Sequence, residues 1–571
     1  MAGFGGDSRG RSPLLAWIGE PADGRGIRFA APGGEWDFWP YPRLASLTED
    51  VAAGLRRAGV EPGDVVCLVQ RPGPGFVAAL FGAMLAGATP APIAPPAVFQ
   101  DPGRYREHYA GLVATARPAL VLTEPDLVPR LGPLAPGVPP APLGDLLAGR
   151  PSVRRSPQRA GREPYGGRGP DALLQFTSGS SGRARGVRVP YRALEANVAA
   201  IHAWLEWTPR DPVASWLPVH HDMGLIGCLI CPVARQSDLW SMPPEDFVRD
   251  PRRYLACFGE LGARLTAMPG FGLAHIARKV PPAALAGLDF RDWRAAIIGA
   301  EPLDPEAFER FAALLAPHGF AREALLPAYG LAEATLAVTG LPLREGWTSV
   351  RVLPGSLAPG SPVRLGPEGV PVMGCGRPLG VEVGIRAEDG TPIPGGTVGE
   401  IVVRGPSVAD GYAAEPGGST RFDGDALLTG DAGFLLEDRL YVLGRLGDGL
   451  KIRGRMVFAE DLEAELARAG VPAHRVAAAL GHRRAEPTVL LVLDRPRPGW
   501  PGLAREVLRR RTEGARVVVA AAPIPRTTSG KPRRRELWHA FLSGGLGEAP
   551  HEDPGRGERD GEDRTGEEVA G

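Results

Sequence analysis

The stretch that most constrains this chain runs from Leu173 to Val189. An apolar, β-forming segment, Leu173-Leu174-Gln175-Phe176, leads into Thr177-Ser178-Gly179-Ser180-Ser181-Gly182, a run of Thr, Ser and Gly only. Arg183-Ala184-Arg185-Gly186 follows, then a second short apolar run that ends at Pro190. The pattern predicts strand, loop, strand. Small hydroxyl residues and glycines let N–H and O–H groups close on a polyphosphate, and Gly supplies the positive φ such a wrap needs. A plain flexible turn uses the same residues. A Walker loop does not fit, because no Gly-Lys-Ser/Thr closes the run and no helix follows at once.

A chain of 571 residues predicts two to four folding units. The formal net charge is zero, so a nucleic acid or an anionic membrane has no global electrostatic support as a partner. The basic residues are almost all arginine; only Lys279, Lys451 and Lys531 are lysines. The five cysteines, Cys67, Cys228, Cys231, Cys257 and Cys375, are odd in number and thinly spread, which fits a reducing compartment better than a disulfide scaffold. Cys228 and Cys231 form a Cys-x-x-Cys inside an apolar helical stretch with no second pair, so they read as buried structural thiols. Residues 1–11 have no apolar signal core. The uncharged run from Phe76 to Phe99 contains Pro90, Pro92, Pro95 and Pro96, and reads as a helix followed by a buried strand rather than a membrane span. We expect a soluble cytoplasmic protein.

Before the loop, helical spacing over Leu47–Ala58, Phe76–Gly87 and Tyr105–Ala116 alternates with strands at Asp64–Gln70, Thr89–Ile93 and Ala119–Thr123. That alternation predicts a parallel sheet covered on its faces. Residues 131–169 read as a Pro/Gly/Arg-rich surface excursion. After the loop, Leu194–Leu205 and Asp304–Ala316 predict helices. Val381–Arg386 and Val398–Arg404 predict strands of a small β subdomain. A helix over Asp461–Ala469 and a strand over Thr488–Leu493 belong to a last unit, and the polar tail 544–571 predicts disorder.

Further segments carry chemistry. His220-His221-Asp222 has metal-ligand residue types, but adjacent residues point in different directions, so a polar helix start is the plainer reading. The strand before Gly299-Ala300-Glu301-Pro302 ends sharply. In Tyr329-Gly330-Leu331-Ala332-Glu333, the tyrosine offers a ring for stacking, the glycine permits close approach, and the glutamate is either an oxygen ligand suited to Mg²⁺ or a first-turn helix acid. In Thr429-Gly430-Asp431 the carboxylate can accept two hydroxyl hydrogen bonds at once. The basic run Ile524–Arg535 surrounds Lys531 and, alone, reads as a solvated loop or a nucleic-acid patch.

Taken in order, these segments resemble the adenylate-forming superfamily. Thr177–Gly186 resembles its signature loop, with Ala184 where proline is usual and Arg185 where lysine is usual; Arg keeps the charge but not the geometry. Ser215-Trp216-Leu217-Pro218 through His221-Asp222-Met223-Gly224 and Tyr329-Gly330-Leu331-Ala332-Glu333-Ala334-Thr335 are similar to the fatty acyl-AMP ligase branch. Val350–Gly360 resembles an insertion that, in that branch, hinders use of CoA; a long featureless loop is the alternative.

The resemblance implies an α/β fold. A large N-terminal domain of doubly wound α/β subdomains plus a β subdomain (1–445) precedes a small mobile α+β C-terminal domain (446–543) and the tail. It implies attack of a fatty acid carboxylate on the α-phosphate of ATP, with Mg²⁺, giving acyl-AMP and pyrophosphate. By that resemblance Thr177, Ser178, Gly179, Ser180, Ser181 and Gly182 bind phosphate, and Arg185 holds the pyrophosphate. Gly299, Ala300, Glu301, Tyr329 and Gly330 flank the adenine. Asp431 takes the ribose, and Arg445 reaches ribose or phosphate. Glu333, with Thr177, is implied to hold the metal; His221 orients the carboxylate or gates its pocket; Lys531 stabilises the transition state; Gly447 is the hinge. The implied acceptor is the phosphopantetheine thiol of a separate acyl carrier protein in polyketide or lipopeptide assembly. An acyl-CoA synthetase using CoA, and a non-catalytic adenylate- or acyl-binding relative, are the alternatives. Arg185, Ala184 and Gly447 favour the last, and intact Glu333, Asp431, Arg445 and Lys531 weigh against it.

Overall fold

The computed structural model describes residues 12–96, 101–131, 138–149, 171–177, 185–353, 356–414, 419–452, 455–483, 486–527 and 530–546. Ser178, Gly179, Ser180, Ser181, Gly182 and Ala184 lie outside the described residues, as do 132–137, 150–170 and most of the tail. The chain divides into two compact units. The first is Met1–Gly447 with Thr527–Lys531; the second is Asp448–Arg526 with Pro532–Gly571. The division therefore falls after Gly447 rather than after residue 445, and the segment carrying Lys531 groups with the larger unit.

The alternation of apolar strands and helices builds the larger unit. Strands Val65–Val69, Thr89–Pro92, Leu120–Thr123 and Pro140–Pro142 form a four-stranded parallel sheet. Val65–Val69 is buried at every position, as a strand covered on both faces must be. Helix Pro74–Leu85 is apolar nearly all round and packs against helix Tyr41–Arg57. That is why the uncharged run resembled a membrane segment: it is a core helix followed by a core strand. No helix among the described residues is long and apolar enough to cross a membrane.

A second sheet has nine strands among the described residues. Its parallel centre orders Leu325–Gly330, Ala295–Ile298, Leu265–Met268, Val213–Ser215, Leu239–Ser241 and Gly26–Ala30. A β subdomain follows, in which Ala426–Leu436 pairs antiparallel with Gly399–Arg404 and Arg439–Arg445. The described residues of the segment weighed as an insertion or a featureless loop are packed. Ser349–Val352 and Val370–Met373 form an antiparallel pair, and Val352 and Leu357 pack with Phe434 and Tyr441 of the β subdomain. In the smaller unit, Val476–Arg483, Glu486–Leu493 and Arg516–Ala521 form a three-stranded sheet. Its alternate residues enter two separate cores, one with helices Ala459–Arg468 and Trp500–Arg511, the other with Arg534–Leu542.

Candidate active site

Strands Asp171–Thr177 and Arg185–Pro190 are antiparallel and place Thr177 opposite Arg185. The Arg185 side chain reaches a second element: Nη2 lies 3.2 Å from Oε1 of Glu333. The Tyr412 hydroxyl donates to the same oxygen at 2.6 Å, and its ring lies under the guanidinium at 4.7 Å. Glu333 is 3% exposed, so its charge needs such partners. It sits in the single 3₁₀ turn Ala332–Ala334 rather than in the first turn of a longer helix. Directly after it, Thr335 adopts φ 71°, ψ −62°, with Leu336 N–H donating to Ala334 O at 2.9 Å. This is the strained form of the γ-turn, rare for a β-branched residue. Thr335 Oγ1 donates to Ser407 O at 2.7 Å and holds it there. Thr177 Oγ1 is buried without a partner among the described residues. The Glu333 carboxylate and this orphan hydroxyl are hard oxygen donors, the type that suits Mg²⁺ shared with a substrate's phosphates. Among the described residues no group of three or more His, Cys, Asp or Glu could hold a metal by itself.

A second cluster comes from strand register. Asp431 lies opposite Arg445, with Nε 2.8 Å from Oδ1. Arg445 also donates to Thr420 Oγ1 and Thr429 O. The Tyr329 hydroxyl donates to Asp431 Oδ2 at 2.5 Å. Burial, then the Asp431 charge, pushes the Tyr329 phenol well up. Each Asp431 oxygen keeps a second lone pair for a ligand hydroxyl. Gly330 is required next to it, because a Cβ there would sit 1.9 Å from Leu336 O.

A cavity links Tyr329 to the interior. It spans about 730 Å³ of space, open solvent at its mouth included. Gly299, Ala300, Tyr329, Gly330 and Asp222 line one part; Trp204, Trp207, Val213 and Leu265 line another. The strand register orders these groups. Leu265 starts its strand and Gly299 lies just past the end of the neighbouring one, four steps on, about 13 Å along the sheet. Ala300 has φ 68°, strained for a residue with a Cβ. Glu301 accepts the Phe271 N–H at 2.5 Å, and burial pushes its carboxyl up. His220 and His221 are neighbours with ring centroids 4.5 Å apart, and burial holds His220 well below the usual imidazole range. Gln175 fixes this segment by donating to His220 O at 2.9 Å. Asp222 opens a π-helix, Met223–Ile230, and burial pushes its carboxyl up. Cys228 on that helix lines the cavity; all five cysteines are free and buried.

The structure thus joins Arg185, Glu333 and Thr177 in one cluster and Tyr329, Asp431 and Arg445 in another, with Gly299, Ala300 and Gly330 on the cavity wall. Lys531 is exposed, in the segment grouped with the larger unit. Gly447 ends that unit's main span. Sequence reasoning missed Tyr412, Ser407, Gln175 and Trp204. Tyr412, Ser407 and Trp204 stand in no patterned motif, and Gln175 reads within its stretch only as part of a strand; each acts through a partner from a distant segment.

The arrangement is that of an enzyme that brings a nucleotide and an apolar substrate together. A family model described as AMP-binding enzyme matches residues 21–413. A putative acyl-CoA synthetase of Caulobacter vibrioides is 32% identical, over 89% of this chain and 91% of its own. A long-chain-fatty-acid–AMP ligase of Mycobacterium tuberculosis is 28% identical, over 90% and 93%. A chain from a structural and functional study of fatty acyl-adenylate ligases from E. coli and L. pneumophila superposes with a TM-score of 0.81, at 28% identity, over 94% of this chain and 98% of that one. The chain belongs to the AMP-binding enzyme family.

Proposed function

We propose that this protein activates a fatty acid with ATP, forming acyl-AMP and pyrophosphate, and passes the acyl group to the phosphopantetheine thiol of an acyl carrier protein. One observation carries the reading. Tyr329 belongs both to the wall of the apolar cavity and, through its hydroxyl, to the Asp431–Arg445 cluster. A nucleotide sugar bound at Asp431 and an acyl chain in the cavity would meet beside that ring.

Two anions must approach, and their repulsion is largest where water is excluded. Mg²⁺, held by Glu333, Thr177 and the nucleotide's own phosphates, would supply charge neutralisation. Arg185 donates to the leaving pyrophosphate. Lys531 donates to the α-phosphoryl oxygens and the incoming carboxylate, which is positioning and electrostatics rather than covalent work. His221 orients the carboxylate or gates its pocket. Ser178, Gly179, Ser180, Ser181 and Gly182 wrap the phosphates, and Gly299, Ala300, Glu301 and Gly330 bound the adenine. Gly447 is the swivel between half-reactions. The protein works in the cytoplasm.

The packed hairpin around Val352 and Leu357 supports the carrier over CoA, since it lies where the sequence resembles the insertion of the AMP ligases. The acyl-CoA synthetase reading rests on the name of the Caulobacter relative. Incubating the protein with Mg-ATP and dodecanoate, with CoA or with a panel of phosphopantetheinylated carriers, decides between them. A loaded carrier without acyl-CoA supports the first reading, and efficient acyl-CoA formation replaces it with the second.

A further inference from the structure

Residues 407–413, which no motif of the chain drew attention to, tie the Glu333 turn to the strand that leaves the Ser/Gly loop. Ser407 O receives the Thr335 hydroxyl at 2.7 Å, and Ala409 N–H donates to Glu333 O at 3.0 Å. Asp410 N–H donates to Arg188 O, Arg188 N–H to Gly411 O, and Ala413 N–H to Gly186 O, at 2.8–3.0 Å. Tyr412 is bridged to Val187. Arg192, on helix Tyr191–Trp204, pairs with Asp410 and donates to the carbonyls of Pro406 and Val408. The strap is thus fixed on three sides, and its last side chain of consequence is Tyr412, aimed at Glu333.

Glu333 Oε1 takes both the Tyr412 hydroxyl and Arg185 Nη2. The other two nitrogens of that guanidinium, Nε and Nη1, are buried and have no hydrogen-bond partner among the described residues. A buried guanidinium with unmet donors calls for an acceptor. Polyphosphate oxygens have the right charge and can take several donors at once.

We propose that Tyr412 and Arg185 clasp Glu333, so that this carboxylate is closed to a free divalent cation and takes one up only when a polyphosphate engages Arg185. Tyr412 is a positioning residue that acts through Glu333. The inference rests on the reading above that Glu333 is the cation ligand. With the nucleotide bound, Arg185 turns its donors to phosphate, and the tyrosine hydroxyl still fixes the carboxylate's direction.

The test uses Mn²⁺ as the probe on the full chain, read by water-proton relaxation enhancement, with and without α,β-methylene-ATP. The unaltered protein should show bound Mn²⁺ only with the nucleotide. Tyr412→Phe keeps the ring under Arg185 and loses only the hydroxyl. It should need about tenfold more Mn²⁺ to form the ternary complex, the effect of one hydrogen bond to a charged group. Half-maximal pyrophosphate release should need a similarly raised Mg²⁺ concentration, with kcat near the unaltered value at saturation. A merely structural role would lower the melting temperature and leave the cation dependence unmoved. Tight Mn²⁺ binding by the unaltered protein without nucleotide overturns the clasp, and that arm does not depend on the variant folding. A Tyr412→Phe protein with unaltered cation dependence overturns the role of Tyr412. If the unaltered protein forms no ternary complex even with nucleotide, it is the cation-site reading of Glu333 that falls, and the clasp falls with it.

Discussion

His202 sits 2% exposed on helix Tyr191–Trp204, with Nε2 3.0 Å from Cys231 O and its ring edge-on to Trp207. Burial first, then the Arg235 charge, holds its imidazole down at about 4. The folded value lies below the unfolded one of about 6.5, so between the two the unfolded chain binds more protons and stability falls as pH falls. The full effect across that window is about 3 kcal/mol. Thermal melts of the larger unit should therefore drop between pH 6.5 and 4 by more in the unaltered protein than in His202→Gln, and parallel curves would refute the assignment. Nothing local in the sequence marks His202, because its environment is made largely by Cys231 and Arg235 from another segment, with Trp207 folded back from just past the helix end. Asp431 and Tyr329 were legible because each stands in a patterned motif. Their mutual hydrogen bond was not, since it joins strands of two different sheets that stand a hundred residues apart in the chain. Arg185 was read as a phosphate ligand, and its pairing with Glu333 was invisible because it too joins segments far apart in the chain.

At the scale of elements, the parallel strands were the most legible part, because strands buried on both faces show as uninterrupted apolar runs bounded by turns. The cavity they enclose was not legible. Its wall takes one to three residues from each of many elements, and its closed side depends on how helix Tyr191–Trp204 ends. There Trp204 donates Nε1–H to Leu341 O at 2.7 Å and presses on Gly340, where a Cβ would fall 2.3 Å from the indole. The indole is therefore fixed in place. Trp204→Ala should move the preferred acyl length upward, raising kcat/KM for a longer acid relative to dodecanoate by roughly tenfold, the scale of one or two methylenes in an apolar pocket. An unchanged chain-length profile would show that the acyl chain lies elsewhere. The turn at Thr335 and the π-helix Met223–Ile230 also escaped sequence reasoning. Strained φ/ψ and π-helical turns recur at functional sites, where surrounding contacts hold them.

At the scale of the molecule, the chain divides into two compact units, and the boundary lies in a Gly-containing segment. Within the smaller unit, Arg534 lies between Asp448 at 3.4 Å, Glu460 at 3.1 Å and Glu463 at 2.9 Å. Asp448 is thereby tied to its own unit, and Gly447, the proposed swivel, ends the main span of the other; a Cβ there would meet nothing within 4 Å. Gly447→Pro should leave acyl-AMP formation within about twofold and slow transfer to the acceptor by tenfold or more, as expected when a backbone hinge is frozen. Normal rates in both steps would remove Gly447 as the swivel.

The central claim is adenylation of a fatty acid, and its most direct test is product analysis of one reaction without an acceptor. Purified protein is incubated with Mg-ATP and dodecanoate, beside Lys531→Ala. The account predicts pyrophosphate release with acyl-AMP accumulating in the unaltered protein, and loss of most of both in Lys531→Ala with nucleotide still bound. Equal turnover in the two proteins, or no acyl-AMP from any fatty acid in a graded panel while ATP binds, would contradict it.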